Sequence, residues 1–302
     1  MPNPTILITG ATGFVGGELL EALRGTGRVR VIVRDASRLS QTGDIDVVEG
    51  DLDDADAVAG ALEGIETAYY LVHSMEAGDD GEFAQRDREL AETFVAAAGS
   101  AGTTRLVYLG GVQPEGDTSE HLESRNEVEK TLGAGDPDLV ALRASMVVGS
   151  GSDSFRTLAQ IVERLPVLAL PTWRSNRTQP IAVRDVVAAL AAAPEVEPGA
   201  YNVAGPDEVS IEEMCDTIGD LLGKRRPSIP LPFSSSRLEG AAASTVADSG
   251  REVLEPLLKG VHDDLRVSEN TLESVFGVKP TPFRDAAEAA LTDRGEEQPQ
   301  AA

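Results

Sequence analysis

The stretch TILITGATGFVGG, residues 5–17, decides the fold. An apolar run of strand length ends in a glycine-rich turn, after which apolar residues recur at helical spacing. Gly10 permits the tight turn, Gly13 lets backbone amides approach a pyrophosphate, and Gly16 lets the helix pack close to the strand. Because the free N–H groups and the positive end of the helix dipole face one point, the stretch predicts a dinucleotide phosphate site.

The residues of this turn are the first candidates for cofactor binding: Gly10, Ala11, Thr12, Gly13, Phe14, Val15 and Gly16. The apolar run 29–33 predicts a second strand, which ends at Arg34, where a dinucleotide-binding fold meets the adenosine ribose. An arginine attracts the 2′-phosphate of NADPH, whereas an acidic residue binds both ribose hydroxyls and repels that phosphate. Because Arg34 precedes Asp35, we expect NADP (NADPH) to be preferred over NAD.

The third strand, predicted over 47–52, carries the candidate contacts for the adenine ring. Asp51 and Leu52 end this strand and are expected to meet the ring. The alternative is that Asp51 simply opens the next helix, for which Asp53 is a candidate N-cap.

The fourth strand, predicted over 67–72, ends in further candidates for cofactor binding. Val72, His73 and Ser74 lie at its carboxyl end, and loops outside the carboxyl ends of parallel strands line the ligand crevice. A histidine satisfied by nearby backbone is the alternative interpretation of His73.

Strands alternating with helical segments over residues 1–150 predict an α/β protein, a Rossmann fold with a doubly wound parallel sheet. Residues 178–204 are expected to return to this NAD(P)-binding domain. Residues 151–177 and 205–292 are expected to form a smaller, discontinuous C-terminal α/β lobe on the substrate side, and residues 293–302 a disordered tail.

The composition narrows the choice of partners and compartment. Acidic residues outnumber basic ones by 51 to 26, for a formal net charge of -25. So much negative charge argues against nucleic acid or an anionic membrane as partner, and favours a small-molecule substrate. The same excess suits a halophilic-like protein of a very salty cytoplasm, where salt screens self-repulsion, or else it is merely an acidic solvated surface. No signal peptide or membrane-spanning run is found, so we expect a cytoplasmic protein, monomeric or homodimeric.

The residues that usually bind metals are few and scattered. Cys215 is the only cysteine, and it falls on the apolar stripe of a helix opened by a Ser210-x-x-Glu213 capping box, so we expect it to pack in a core. The three histidines are far apart in the sequence and lack ligand spacing, so we expect no metal site.

Several segments resemble one enzyme superfamily. TGATGFVG at 9–16 matches the TGxxGxxG loop of the short-chain dehydrogenases/reductases, and GDL at 50–52 matches their adenine-binding turn. IAVRDV at 181–186 and YNVAGP at 201–206 match two later landmarks. YLVHSM at 70–75 and YLGGV at 108–112 are similar to an atypical NAD(P)-binding subgroup. The chain thus resembles the extended and atypical branches, which include epimerase-like enzymes, NmrA-like sensors and the Rossmann accessory subunit of complex I.

The usual catalytic set of that superfamily is missing. It consists of a serine after the fifth strand and a Tyr-x-x-x-Lys on the next helix, where the tyrosine exchanges a proton with the substrate and the lysine holds the nicotinamide ribose. Here Gly110 or Gly111 stands where the serine belongs, and His121 to Arg125 stands where Tyr-x-x-x-Lys belongs. No tyrosine occurs between positions 108 and 201, so no shift of register restores the motif.

His121 and Arg125 are therefore the candidate catalytic residues. At i and i+4 they share a helix face, so both side chains can point into the crevice. An imidazole can pass a proton to a nascent alkoxide, and the guanidinium would keep it mostly neutral and bond the ribose hydroxyls, which also makes Arg125 a cofactor-binding candidate. The alternative is a highly charged, solvated helix without a chemical role.

The remaining candidates follow the fifth strand, predicted over 105–109, and the sixth, predicted over 139–143. Ala144 lies where relatives contact the nicotinamide. The substrate candidates are Gly111, Met146, Trp173, Arg174 and Arg177. Arg174 and Arg177 would clamp a carboxylate or phosphate of the substrate, or else serve as local salt-bridge partners.

Three functions remain open. The first is an NAD(P)H-dependent oxidoreductase acting on a small carbonyl, enone or quinone-like compound, and we favour this enzyme. The second is a non-catalytic NAD(P)-binding redox sensor or scaffold, motivated by the missing serine, tyrosine and lysine. The third is an NAD-dependent epimerase, which would need the absent tyrosine.

Overall fold

The apolar run that opens the chain forms β1 (Thr5–Thr9), whose last three residues are fully buried. The structure is a computed structural model that describes residues 5–25, 28–39, 45–72, 80–113, 120–170, 172–230 and 266–297. Side chains at 80–83, 120, 121, 169, 172, 173, 230 and 295–297 are outside the description. The described residues divide into two compact units, one of residues up to 144 with 184–203 and 269–279, the other of 145–183, 204–268 and 280 onward.

The first unit is built on a parallel sheet. Its strands are β1, β2 (Arg28–Val33), β3 (Ile45–Glu49), β4 (Thr67–Tyr70), β5 (Arg105–Gly111), β6 (Asp138–Ala144) and, later in the chain, β11 (Gly199–Val203). Among the described residues these seven lie in the order β11-β6-β5-β4-β1-β2-β3, and every pair is parallel. The order turns back at β1 and β4, where open α/β sheets bind their ligands.

Helices connect these strands, and one more follows the last of them. The connecting helices are α1 (Phe14–Leu23), α2 (Ala55–Leu62), α3 (Asp80–Ala101), α4 (Glu120–Gly133) and α6 (Val183–Ala192), and α8 (Leu272–Phe276) comes after β11. One core joins α2, α3 and α4 to the sheet, with Tyr70 edge-on to Phe94 at a centroid distance of 5.1 Å. Tyr69, fully buried, donates a hydrogen bond from its hydroxyl to the carbonyl of Leu190 at 3.1 Å, which ties α6 to the sheet.

The second unit has its own core around three helices, α5 (Asp153–Arg164), α7 (Ile211–Leu221) and α9 (Phe283–Glu297). The described residues of this unit form three short strand pairs: β7 (Val147–Val148) with β10 (Ile181–Ala182), β9 (Arg177–Thr178) with β12 (Val209–Ser210), and β8 (Leu168–Leu170) with β13 (Ser228–Pro230). Cys215 is buried in this core, as predicted, and burial raises the pKa of its thiol to about 12.

The predicted capping box of α7 is present. The Ser210 hydroxyl accepts the Glu213 N–H at 3.1 Å, and the Glu213 carboxylate accepts the Ser210 N–H at 2.7 Å. This backbone hydrogen bond lowers the pKa of Glu213.

The parallel seven-stranded sheet and the second, smaller unit built from separate segments confirm the predicted α/β Rossmann fold with a smaller, discontinuous lobe.

Several predicted boundaries need correction. β3 ends at Glu49 and not at residue 52, because the chain then enters the turn that precedes α2, in which the Asp51 carbonyl accepts the Asp54 N–H at 3.2 Å. The N-cap of α2 is Asp54, whose carboxylate accepts two backbone N–H groups, and not Asp53.

Two C-terminal segments also differ from prediction. Residues 269–279, predicted for the smaller lobe, belong to the first unit, where Thr271 donates a hydrogen bond to the Asn202 carbonyl of β11. The predicted tail 293–302 begins as helix, because α9 continues to Glu297 with its apolar face in the core of the second unit; residues 298–302 lie outside the described residues.

A separate result concerns the lipid bilayer: no helix in the described ranges combines the length and apolarity that crossing it requires.

Candidate functional site

The glycine turn after β1 is shaped by close backbone contacts. Gly10 has φ +69°, the left-handed region that favours glycine, and its carbonyl accepts the Gly13 N–H at 2.9 Å. A Cβ at Gly16 would lie 2.1 Å from that same carbonyl oxygen. The turn and the close approach of α1 to β1 therefore both require the absence of side chains, as predicted for Gly10 and Gly16.

The N-terminus of α1 is open to an acceptor. Gly13 is its N-cap and has no side chain to bond the first-turn amides. The amides of Phe14, Val15 and Gly16 belong to this first turn, which has no intrahelical acceptor. Of the intervening turn residues, Ala11 is buried and Thr12 is half-buried. The geometry suits a phosphate group.

Thr9 ties β1 to β4 beside this turn, a role that the sequence analysis did not assign. Its hydroxyl donates to the Tyr69 carbonyl and accepts the Leu71 N–H, both at 3.0 Å. Val72 follows, and its Cγ2 would lie 3.3 Å from a Cβ at Gly10. The position of this threonine directly before the glycine turn is the sequence feature that could have predicted this role. The neighbouring candidates His73 and Ser74 lie outside the described residues.

The end of β2 presents two arginines. Arg34 is exposed, and the Asp35 carboxylate is used locally, accepting the Ser37 N–H at 2.9 Å and its hydroxyl at 2.6 Å. The Ser37 hydrogen bonds lower the pKa of Asp35, with a smaller contribution from Arg38. The sequence analysis missed Arg38, which a short 3-10 turn over Ala36–Arg38 places close to Asp35.

The turn after β3 places its two candidates differently. Leu52 is buried in the core of the first unit, which leaves its backbone for an adenine contact. Asp51 is half-buried, and its carbonyl accepts the Asp54 N–H at 3.2 Å. The helix that follows is capped by Asp54, so Asp51 does not serve as its N-cap.

The end of β5, where the usual catalytic serine is missing, packs closely against α4. A Cβ at Gly111 would lie 3.0 Å from Leu122 Cδ2 and 3.7 Å from Arg125 Cδ, so side chains of α4 lie close to that position. A Cβ at Gly110 would lie 2.9 Å from the Tyr108 ring. The structure thus brings together Gly111 and Arg125, two of the predicted site residues. The side chain of His121, one turn earlier on α4, is outside the description.

Arg125 is a half-buried cation with few partners. Its Nε is buried without a hydrogen-bond partner within the described part of the chain. Burial lowers the pKa of its guanidinium. Tyr108 and Asp87 lie nearby and act in the opposite direction, but the effect of burial is larger. Asp87 on α3 is itself buried and accepts a long hydrogen bond of 3.5 Å from Ser124. Because an arginine stays protonated in proteins, this position keeps a positive charge.

The same helix is anchored to β6 one turn further on. Arg143 donates two hydrogen bonds to Glu129, at 2.6 and 3.0 Å, and this contact raises the pKa of Arg143. Ala144 ends β6, buried, and its carbonyl accepts the Val112 N–H at 3.1 Å. The crossing of α4 over the strand ends is therefore fixed by an ion pair.

The candidate substrate residues after position 144 belong to the second unit. Arg174 contacts Glu212 at 3.1 Å, and Arg177 contacts Glu208 at 2.9 Å and Glu213 at 3.3 Å. In the structure these arginines are salt-bridge partners, the alternative that the sequence had left open. Met146 packs against the unit's core, and the side chain of Trp173 is outside the description.

Comparison with known proteins adds to this geometry. A family model described as NAD(P)H-binding matches residues 10–138. The (4-alkanoyl-5-oxo-2,5-dihydrofuran-3-yl)methyl phosphate reductase of Streptomyces griseus is 25% identical, over 93% of this chain and 95% of its own. The 3-diazoavenalumate denitrifying reductase of a Streptomyces species is 30% identical, over 64% of this chain and 72% of its own.

Solved structures share the fold. The Bordetella bronchiseptica enzyme WbmG, in complex with NAD and UDP, superposes with a TM-score of 0.76 at 18% identity, over 96% of this chain and 94% of that one. The matches include the stretch that carries the glycine turn and the ends of the central strands. The chain therefore belongs to the short-chain dehydrogenase/reductase superfamily, in its atypical, NAD(P)-binding branch.

Proposed function

We propose that this protein is an NADPH-dependent reductase of a small carbonyl, enone or quinone-like compound. The observation that carries the proposal is the position of Arg125, a cation with a buried, unpartnered Nε beside Gly111 at the carboxyl end of β5. An unpaired buried donor is costly, and no carboxylate of the described residues lies within ion-pair distance of this guanidinium. We therefore infer that Arg125 binds a ligand, because its unpaired Nε does not stabilise the fold.

The glycine turn fits a dinucleotide. α1 approaches the turn so closely that a Cβ at Gly16 would lie 2.1 Å from the Gly10 carbonyl oxygen. The first turn of α1, which has no side-chain cap, offers backbone donors to a pyrophosphate. When bound, the nicotinamide supplies a hydride. The turn's own task is to hold the phosphates without a cationic side chain.

The adenosine end supports NADPH. Ser37 engages the Asp35 carboxylate, so that the acidic group is turned to its own loop. Arg34 and Arg38 flank it and would pair with a 2′-phosphate. Calorimetry is expected to give tighter binding of NADPH than of NADH.

The roles of the α4 residues follow from their spacing. Arg125 would bond the nicotinamide ribose through its terminal nitrogens, and its charge would favour the neutral imidazole that His121 becomes after it has given up a proton. The protonated imidazole of His121 would give that proton to the substrate oxygen as hydride reaches the carbonyl carbon, or the conjugated carbon of an enone or quinone. The products are a neutral imidazole and a neutral alcohol or enol. Two of the relatives named above are reductases, which supports the reductive direction.

The test is oxidation of NADPH in the presence of an aldehyde, ketone, enone and quinone panel. At least one compound is expected to accelerate oxidation above background. With that compound, His121→Phe is expected to lower kcat at least about a hundredfold. Arg125→Gln is expected to raise the KM for NADPH, whereas Lys130→Gln, an exposed position on the same helix, leaves both constants unchanged. Unchanged turnover in His121→Phe would remove the proton-donor role.

A second candidate is an NAD(P)-binding sensor without turnover. The packing of Leu122 and Arg125 against Gly111 favours it, because a Cβ at Gly111 would lie 3.0 Å from Leu122 Cδ2, so the serine of the usual catalytic set would be tightly packed there. Tight cofactor binding with no oxidation across the whole panel would support the sensor and contradict the reductase.

A further inference from the structure

A cavity in the second unit has the opposite charge to the rest of the protein. It measures about 550 Å³ and is lined by Arg156, Arg164, Lys224 and Arg294, with Glu163 as the one acidic residue among the lining side chains described. Over the whole chain acidic residues outnumber basic ones by 51 to 26. Four cations around one space are therefore a local inversion of the protein's charge.

The cations come from three elements that meet at the cavity. Arg156 and Arg164 lie two turns apart on one face of α5, with Gln160 between them. Lys224 follows the end of α7, and Arg294 lies on the last turns of α9. The positive charge around the cavity therefore comes from three separate elements and not from one basic helix face.

The internal acids do not neutralise this charge. Arg294 contacts Glu163 through Nη2 at 2.5 Å, but its Nη1 is buried and has no hydrogen-bond partner among the residues described. Within the described ranges, the one ion pair of Arg156 is a long, exposed contact of 3.7 Å with Asp153. Arg164 and Lys224 form no ion pair with any described carboxylate. The cavity keeps an excess of positive charge and at least one unused donor.

We propose that this cavity binds a small polyanion carrying two or more phosphate or carboxylate groups. The volume is that of a nucleotide-sized ligand, well above the space a single inorganic ion needs. Guanidinium groups match both kinds of anion with paired hydrogen bonds, and the buried Nη1 of Arg294 supplies a donor that gains from an acceptor. The lining residues belong to the second unit and the glycine turn to the first, and the inference does not depend on the proposed reaction.

The competing explanation is structural. Arg164 and Lys224 lie near the C-terminal ends of α5 and α7, where positive charge is stabilised by the helix dipole. That explanation predicts lower stability when the two charges are removed, but it predicts no loss of anion binding. Binding, and not stability, is thus the decisive readout.

The experiment is calorimetric titration of the full chain with pyrophosphate, ADP and citrate, with NADPH in excess to occupy the glycine turn. Constant low ionic strength is needed because salt screens such contacts. At least one probe is expected to bind, and Arg164→Gln with Lys224→Gln is expected to weaken that binding at least about tenfold. The matched control, Arg88→Gln with Lys279→Gln, removes the same charge from exposed positions of the first unit and is expected to bind like the wild type.

The three probes distinguish a bare diphosphate, a nucleotide and a carboxylate ligand. If the double variant does not fold, as judged by circular dichroism, Lys224→Gln alone, at an exposed position, is expected to weaken binding about threefold or more. The proposal is overturned if no probe binds the wild type, or if the cavity variant binds as tightly as the control. Neither outcome alters the NADPH affinity that tests the proposed function.

Discussion

Gly16 and Gly17 are neighbours in α1 with opposite tolerance for a side chain. A Cβ at Gly16 would lie 2.1 Å from the Gly10 carbonyl oxygen, a backbone atom that cannot move away without opening the turn. A Cβ at Gly17 would lie 3.5 Å from the Ala11 carbonyl oxygen, an ordinary contact. The two positions separate the requirement for close packing from the general effect of glycine in a helix.

Gly16→Ala is expected to destabilise the fold by about 1–3 kcal/mol, because α1 must move away from β1. Because the backbone amides of the turn would be displaced, NADPH binding is expected to weaken at least about tenfold. A tenfold loss of affinity corresponds to about 1.4 kcal/mol. Gly17→Ala is the control and is expected to stabilise the helix by about 0.5–1 kcal/mol while NADPH affinity is kept. Urea denaturation and calorimetry measure both quantities, and equal NADPH affinity in the two variants would contradict this account of the turn.

For single residues, the sequence predicted the role of the glycines better than it predicted which side chains surround them. The spacing of Gly10 and Gly16 pointed to a crowded turn because only a few backbone arrangements need glycines in that pattern. It did not predict that Leu122 and Arg125 fill the space beside Gly111, because this contact depends on how α4 crosses the end of β5. Long-range packing of this kind leaves no local periodicity in the sequence.

Among the elements, α4 matters most for the proposed chemistry, because it carries His121 and Arg125. Its position over the sheet depends on the pair between Glu129 and Arg143, whose side chains are 11% and 26% exposed. This low exposure reduces screening by solvent, so the two hydrogen bonds contribute more than a surface ion pair would.

Glu129→Gln is expected to lower the free energy of unfolding by about 1–3 kcal/mol, the range for a hydrogen bond to a charged group. A double-mutant cycle with Arg143→Met checks that the effect belongs to the pair, since the double variant should lose less than the sum of the single variants. If the energies are additive, the pair does not hold α4 to β6.

The sequence predicted the main strands of the sheet and α7, because their apolar runs and the capping box are local signals. It did not predict α6, because the run from Ile181 that leads into it reads equally as strand or helix. The two-residue strands of the second unit were also missed, since they are too short to show a period. Asp54 in place of Asp53 shows how adjacent acidic residues leave an N-cap ambiguous by one position.

Over the whole molecule the dominant feature is the net charge of -25. Repulsion among so many carboxylates opposes the folded state, and salt shortens the range of that repulsion to about 3 Å at about 1 M. Many of the basic residues in the described part of the chain form local ion pairs, such as Arg30 with Asp46 at 2.9 Å. They are too few to neutralise the excess of acidic residues.

The temperature of half-unfolding is therefore expected to rise steadily from about 0.05 M to about 2 M KCl, because screening removes repulsion from the folded state. Sucrose, which strengthens burial without screening charge, is the control and should give a smaller rise at equal osmolality. A midpoint that does not change with KCl would show that the acidic surface is merely solvated and would remove the salt-adapted interpretation.

The route of the chain has a consequence for how such a protein can be cut or recombined. The backbone leaves the first unit after residue 144, returns for 184–203, and returns again for 269–279. A gene fragment ending at residue 144 would lack β11 and expose β6 as a bare edge, ready to pair with other chains. Because the segments of the two units alternate along the chain, a single crossover between two related genes cannot exchange either unit intact.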